Sequence, residues 1–414
     1  MPRPVMVMLI MITFFVISFL TNIIGPLIPE ILEDFQLSLT LASLLPFAFF
    51  IAYGVFSIPS GILIEVHGEK KVMIAAFGTA ALGAVLLGLF PTYLMAVGSL
   101  FMIGAGMAML QVAINPLLRV SGGPKHFAFF SVMGQLFFGA ASFISPLVYS
   151  YLVTSMENPE TRDLGIAAFF LSFVPADLPW ISLYWVFALT AFVMVILLSV
   201  SPFPSVGRAS DEQVGPLALH VSLLRDRSVQ LFFLGIFAYV GAEQGIANWI
   251  SQFLSTYHGL DPQTIGARTV SSFWLFMTLG ALLGMGLLKV LDSRTVLKLF
   301  TVATMIALGI AVFGAADVSR WAFISIGFFI SVMWSIIFSL ALNSMADHHG
   351  SFSGILVTGI IGGAIMPVIV GGLGDWFGLR VGLLSMLIPL GYILSIGFWA
   401  EPIITNQRLR SHEE

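Results

Sequence analysis

Residues 238–250 read AYVGAEQGIANWI. They lie inside the apolar run Leu231–Tyr257, and Glu243 falls about midway along it. In a helix rising about 1.5 Å per residue, that carboxyl sits near the centre of a bilayer. A charge at such depth costs about 2.5 kcal/mol or more and marks a functional residue by default. Of the 38 charged residues, 17 basic and 21 acidic, none other lies so deep in an apolar run. Gln244, Asn248, Ser251 and Gln252 follow at helical spacing, so a continuous helix would carry them on one polar face. The competing reading of Glu243 is a structural carboxyl bonded to a neighbouring helix, because buried polar groups also hold membrane bundles together.

The rest of the chain has the composition this reading needs. It is 414 residues long, 58% hydrophobic and only 9% charged, where soluble proteins carry about 25% charge. That apolar content is room for roughly twelve spans of about 20 residues. Forty glycines suit close helix packing in lipid. The absence of Cys excludes disulfides, iron–sulfur clusters and thiolate zinc sites. No basic tract points to nucleic acid, and a net charge of −4 adds nothing in that direction. The first residues, MPRPVMVMLIMITFFVISFL, start basic and stay apolar too long for a signal-peptide core, so they read as an uncleaved first span.

Hydropathy places spans at 5–29, 38–64, 70–90, 93–119, 126–153, 180–201, 229–257, 264–290, 294–315, 320–346, 351–374 and 380–401. The longest polar gap, 202–227, holds Pro202, Pro204, Arg208, Asp211 and Glu212. It divides the chain into an N-terminal six-helix bundle, 1–201, and a C-terminal one, 228–414. With both termini cytoplasmic, thirteen of the basic residues fall inside and only Arg162, Arg268, Arg320 and Arg380 outside, the expected bias. The thirteen are Arg3, Lys70, Lys71, Arg119, Lys125, Arg208, Arg225, Arg227, Lys289, Arg294, Lys298, Arg408 and Arg410. Residues 157–178 contain an apolar stretch, Leu164–Val174, too short to cross. They read as an external loop with an interfacial helix.

Six plus six spans around a central cytoplasmic linker resemble the major facilitator superfamily. The loop after span 2 supports the resemblance: Gly61, Glu65, Gly68, Lys70 and Lys71 are similar to that superfamily's loop signature, with Glu where Asp is usual. The physical sense is a tight turn whose acid and bases tie neighbouring helix ends together. Gly286, Lys289, Asp292 and Arg294 form a weaker echo in the second half. The resemblance implies an all-α membrane protein with two pseudo-symmetric six-helix bundles.

Several stretches narrow the resemblance to the fucose–galactose–glucose permease branch. They are Ile28-Pro29, Ile58–Leu63, Gln111–Pro116, Tyr239–Glu243 with Trp249, Ile337–Ala341 and Ile360–Pro367, in the family's order. This implies a hexose-type sugar as substrate, a bacterial inner membrane as location, and a monomer. The departures matter. The branch's acidic residues late in span 1 and in span 4 correspond to Gly25 and Gln111, neither of which takes up a proton. Span 8 lacks an Arg after Gly280.

A sugar presents hydroxyls and apolar ring faces. Asn and Gln each supply a donor and an acceptor, and aromatic rings cover a sugar face. The candidates are Asn22, Gln111, Asn115, Gln135, Gln244 and Asn248, with Trp249, Trp274 and Trp334 as platforms. Sites of this kind lie near the midplane, and these side chains are expected to line one cavity. Asn115 precedes Pro116, so it has a second reading as the cap of a local break. Glu243 is the coupling candidate, for a proton or sodium; no other cofactor and no metal is expected. His67, His126, His258, His348 and His349 sit at span ends, and no Walker-type loop occurs, so transport is not ATP-driven. The resulting expectation is a secondary transporter of a monosaccharide. The alternatives are an uncoupled sugar uniporter or a carrier of another small solute. A membrane-embedded enzyme or sensor would need paired ionisable residues or a soluble domain, and the chain has neither.

Overall fold

In the computed structural model the described residues are 3–122, 127–201, 203, 222–345 and 349–401. Most of the linker 202–227 lies outside them, with Arg208, Asp211 and Glu212. So do Lys125, His126, His348, Arg408 and Arg410. Among the described residues, twelve helical stretches are long and apolar enough to cross a membrane, at the positions hydropathy assigns. No strand occurs among them.

The first six spans are built from α1 (Arg3–Thr21) with α2 (Ile24–Asp34), α3 (Leu39–His67), α4 (Glu69–Leu89), α5 (Tyr93–Gly122), α6 (Phe127–Glu157) and, after the short α7 (Gly165–Leu171), α8 (Ile181–Val200). The last six follow as α9 (Arg227–Ala247) with α10 (Ile250–His258), a π turn Pro262–Gly266 leading into α11 (Ala267–Leu287), α12 (Ser293–Phe313), α13 (Ala316–Ile330) with α14 (Met333–Leu342), α15 (His349–Thr358) with α16 (Gly362–Phe377), and α17 (Leu379–Leu384) with α18 (Leu387–Trp399). The chain forms two compact units. One is Met1–Gly207 with Asn248–Ser272; the other is Arg208–Ala247 with Phe273–Glu414.

Within the first unit, α5 packs against α3 and α4 because it presents glycine to both. A Cβ on Gly104 would lie 2.2 Å from the Phe49 carbonyl oxygen, and one on Gly106 would lie 2.4 Å from that of Ala76. Helix association in lipid draws little from the hydrophobic effect, so close backbone approach supplies the attraction. The second unit repeats the device: a Cβ on Gly362 would fall 2.0 Å from the Phe237 carbonyl oxygen, where α16 crosses α9.

The loop signature is a structural clamp. Gly68 ends α3 and starts α4 at φ 81°, ψ 158°, a conformation open essentially to glycine alone. Lys70 donates to the carbonyls of Ser199 and Ser201, 2.8 Å each, and so binds the loop to the end of α8. The weaker echo does the same work in the second unit. Asp292 caps α12 by accepting from the Arg294 N–H at 2.9 Å. Arg294 donates to the Ala400 carbonyl at 3.3 Å, just past α18.

Two expectations are corrected. Span 7 is not one continuous helix: α9 ends at Ala247 and α10 starts at Ile250. The polar face through Gln244, Asn248, Ser251 and Gln252 is therefore interrupted at Asn248. Span 4, by contrast, is unbroken through Asn115 and Pro116 to Gly122, so Asn115 caps no break there. Residues 157–178 hold only the seven-residue α7, too short to cross. It packs Ala167 and Phe170 inward and leaves Ile166 and Phe169 exposed.

Gly68→Ala is expected to lower stability by about 1–3 kcal/mol through the strained backbone. Gly78 has an ordinary helical setting with nothing within 4 Å of its would-be Cβ, so Gly78→Ala should raise stability by about 0.5–1 kcal/mol. Thermal unfolding of the two variants in one detergent checks the opposite signs.

Candidate functional site

The second unit holds the Glu243 group. Tyr239 precedes Glu243 by one helical turn, so the two share a face of α9. The Tyr239 hydroxyl donates to Glu243 Oε2. The Gln244 amide donates to Glu243 Oε1 at 2.9 Å. All three side chains are buried. The opposite face of α9 is occupied by packing: Gly241 and Gly245 abut Met366 and Met386. The Tyr239 ring meets Trp334 at a 5.9 Å centroid distance, and Trp334 stacks on Phe338 at 5.8 Å. A buried carboxyl group is thereby held by two donors and flanked by an aromatic wall. Tyr239 belongs to the site although its residue type alone did not mark it; its spacing from Glu243 was the available signal.

The first unit holds a second polar group where span 1 breaks. The Asn22 amide donates to Ser142 Oγ at 2.9 Å and to Ser18 Oγ at 3.3 Å. Ser18 and Ser142 are themselves 2.6 Å apart. An unbroken helix would pair the Phe19 carbonyl with the Ile23 N–H; here that carbonyl accepts from Ser145 at 2.8 Å. Ser18, Ser142 and Ser145 escaped sequence reading because small hydroxyls are common in spans and carry no periodic signal. Asn248 and Trp249, at the second break, are buried in the same unit.

Gln111 is half-buried on α5 and Gln135 exposed on α6; the Asn115 side chain lies outside the described ones. Trp274 is buried in the second unit. The indole N–H groups of Trp249 and Trp274 are both buried with no acceptor. No cluster of metal-ligating side chains occurs among the described residues.

A twelve-span helical protein with buried amides and hydroxyls at its helix breaks has the build of a membrane solute carrier. The chain belongs to the major facilitator superfamily, whose family model matches residues 10–360. It is 31% identical over 389 residues to a glucose/galactose transporter of Brucella abortus biovar 1 (strain 9-941), across 93% of this chain and 91% of that one. It is 24% identical over 380 residues to the L-fucose-proton symporter of Escherichia coli (strain K12), across 87% and 85%. The crystal structure of the superfamily transporter FucP in the outward conformation matches the fold with a TM-score of 0.69, at 22% identity, over 97% of this chain and all of that one.

Glu243→Ala should cost about 1–3 kcal/mol of stability, because it strands the buried Tyr239 hydroxyl. Glu243→Gln keeps an acceptor and should cost less. Thermal unfolding of both, with Tyr239→Phe as the partner deletion, checks the order.

Proposed function

We propose that this protein is a secondary transporter of a hexose-type monosaccharide, working by alternating access and coupled to a cation through Glu243. Its similarity to the Brucella glucose/galactose transporter along nearly the whole chain supports the substrate class. The observation that carries the reading is that the indole N–H groups of Trp249 and Trp274 are buried without acceptors, as is that of Trp185 outside the candidate set. Sugar hydroxyls are acceptors, and an aromatic ring covers a sugar's apolar face. Asn22, Gln111, Gln135, Asn248 and Trp249 are the candidate sugar contacts of the first unit. Gln244, Trp274 and Trp334 are those of the second.

The protein sits in a bacterial inner membrane as a monomer with both termini cytoplasmic, and it carries no enzymatic chemistry. Glu243 loads a proton or sodium from outside and releases it inside. One observation favours a second reading: both carboxyl oxygens of Glu243 already hold donors. If that group is scaffold, the protein is an uncoupled sugar uniporter.

Gln111→Ala and Asn248→Ala should each weaken sugar binding by about 1–3 kcal/mol, read by thermal shift against a sugar panel with and without sodium. Wild-type affinity in both removes them from the site. Glu243→Gln should abolish sugar accumulation in proteoliposomes while sparing exchange of labelled for unlabelled sugar. A Gln variant that still concentrates sugar shows the coupling role to be wrong. The chain has no Cys, so a single Cys at position 225 reports topology directly. It should resist an impermeant reagent applied outside, and labelling there overturns the orientation.

A further inference from the structure

The break in span 1 fixes which end of the Asn22 side chain is available. Asn22 lies between the end of α1 and the start of α2 and is buried. Four contacts form the group around it. Its side-chain nitrogen lies 2.9 Å from Ser142 Oγ and 3.3 Å from Ser18 Oγ. Ser18 Oγ and Ser142 Oγ lie 2.6 Å from each other. Ser142 Oγ lies 3.1 Å from the Phe138 carbonyl oxygen, one turn back on α6. Ser145, three residues further along α6, donates to the Phe19 carbonyl at 2.8 Å, so its hydrogen is not available to the group.

Each of the four contacts needs one hydrogen. A serine hydroxyl carries one, and an amide nitrogen carries two. A carbonyl oxygen only accepts, so the Ser142 hydrogen goes to Phe138. The Ser18 hydrogen then fills the contact with Ser142. Both hydroxyl hydrogens are thereby used, and the two contacts to Asn22 are filled by its own amide hydrogens. The opposite orientation, with the Asn22 oxygen toward the serines, would leave two hydrogens for four contacts. Two pairs of oxygens would then face each other with nothing between them. The network of partners therefore fixes the amide orientation. It leaves one group over. Among the described residues nothing donates to the Asn22 side-chain oxygen, and that oxygen is not one of the unpartnered atoms sealed from solvent.

We propose that Ser18 and Ser142 hold Asn22 as a hydrogen-bond acceptor only, and that Asn22 selects a sugar hydroxyl that donates to it. The inference rests on the sugar reading given above and adds a direction to one of its contacts. An unrestrained asparagine turns to offer either its nitrogen or its oxygen, and so tolerates a donor or an acceptor. Asn22 cannot turn without breaking its bonds to both serines. A sugar with fluorine in place of that hydroxyl brings an electronegative atom with no hydrogen against the oxygen, and is rejected. A sugar with hydrogen there leaves the oxygen unpaired, and is rejected as well. Ser18 and Ser142 are positioning residues, since they act on the sugar only through Asn22.

The test is competition for labelled D-galactose and labelled D-glucose on the purified protein, by the monodeoxy and monodeoxyfluoro analogues of each sugar. In wild type there should be one ring position at which the deoxy and the fluoro analogue both lose about tenfold or more in affinity. In Asn22→Ala that loss should vanish. Ser142→Ala gives a readout that a merely structural role would not move. It frees the Ser18 hydrogen to bond the Asn22 oxygen, so the amide turns and offers its nitrogen to the sugar. Fluorine accepts where hydrogen does not, so the fluoro-to-deoxy affinity ratio at that position should rise several-fold. Ser142→Thr keeps the hydroxyl and should restore the wild-type ratio. Ser18→Ala releases the other amide hydrogen and should move the ratio the same way by less, which guards against a folding defect in Ser142→Ala. A ratio unchanged in both alanine variants overturns the proposal. So does a tenfold loss that survives Asn22→Ala, or a wild type that tolerates fluorine at every position. Wild-type protein that binds neither D-galactose nor D-glucose overturns the sugar reading, and this inference with it. Binding of either sugar with no position-specific loss overturns this inference alone.

Discussion

A helix that breaks inside a membrane frees backbone N–H and C=O groups where no bulk water can take them. Much of this structure follows from how those groups are answered. Span 1 breaks after Thr21, span 10 after Ile330, span 11 after Thr358 and span 12 after Leu384. At each break a hydroxyl covers a nearby carbonyl: Thr21 on Ile17, Ser331 on Phe328, Thr358 on Ile355 and Ser385 on Gly382. Local hydroxyl-to-carbonyl bonds of this type compete with helix geometry and stabilise its interruption. In span 1 the neighbouring helix adds Ser145, which takes the Phe19 carbonyl. These breaks are thus built into the bundle, and the one in span 1 places Asn22 where regular helix gives way, as the separate break in span 7 does for Asn248.

The same economy appears at the helix ends. Lys70 in the first unit and Arg294 in the second each bring a cation to carbonyls at the end of that unit's last span. The carbonyl end of a helix carries partial negative charge, so a basic side chain there is favourable in both places. Two halves with different residues therefore reach one solution, a cation clamping the loop after the second span to the end of the sixth. Gly68 makes the first clamp possible by turning α3 directly into α4. Asp292 performs the corresponding start for α12 through its side chain.

Between breaks and clamps, the spans are held by close backbone contact at glycine, which leaves particular helix faces free for chemistry. On α9, Gly241 and Gly245 are committed to packing. Tyr239 and Glu243, one turn apart, are left to form the polar group with Gln244. A carboxyl already engaged by a phenol and an amide has little freedom to reorganise. Any change in its protonation must therefore be felt by Tyr239 and, through ring contact, by Trp334.

The order and number of the spans were determined by the sequence alone, because hydropathy over about 20 residues is a local property. Glu243 stood out for the same reason: a single acid in a long apolar run needs no neighbour to be conspicuous. The loop signature was legible because Gly68 answers to a backbone angle and Lys70 to a helix end. What tertiary structure alone decided is how partners from distant positions meet. Ser142 and Ser145 reach span 1 from more than a hundred residues away, and no periodicity marks them. The echo at Asp292 and Arg294 looked weak until its bond to Ala400 was seen. The break at Asn248 was hidden because its composition suits a continuous helix as well as an interrupted one. Glu157 and Gln263 are each unremarkable in sequence, and only the packing of the end of α6 against the π turn brings them to one hydrogen bond.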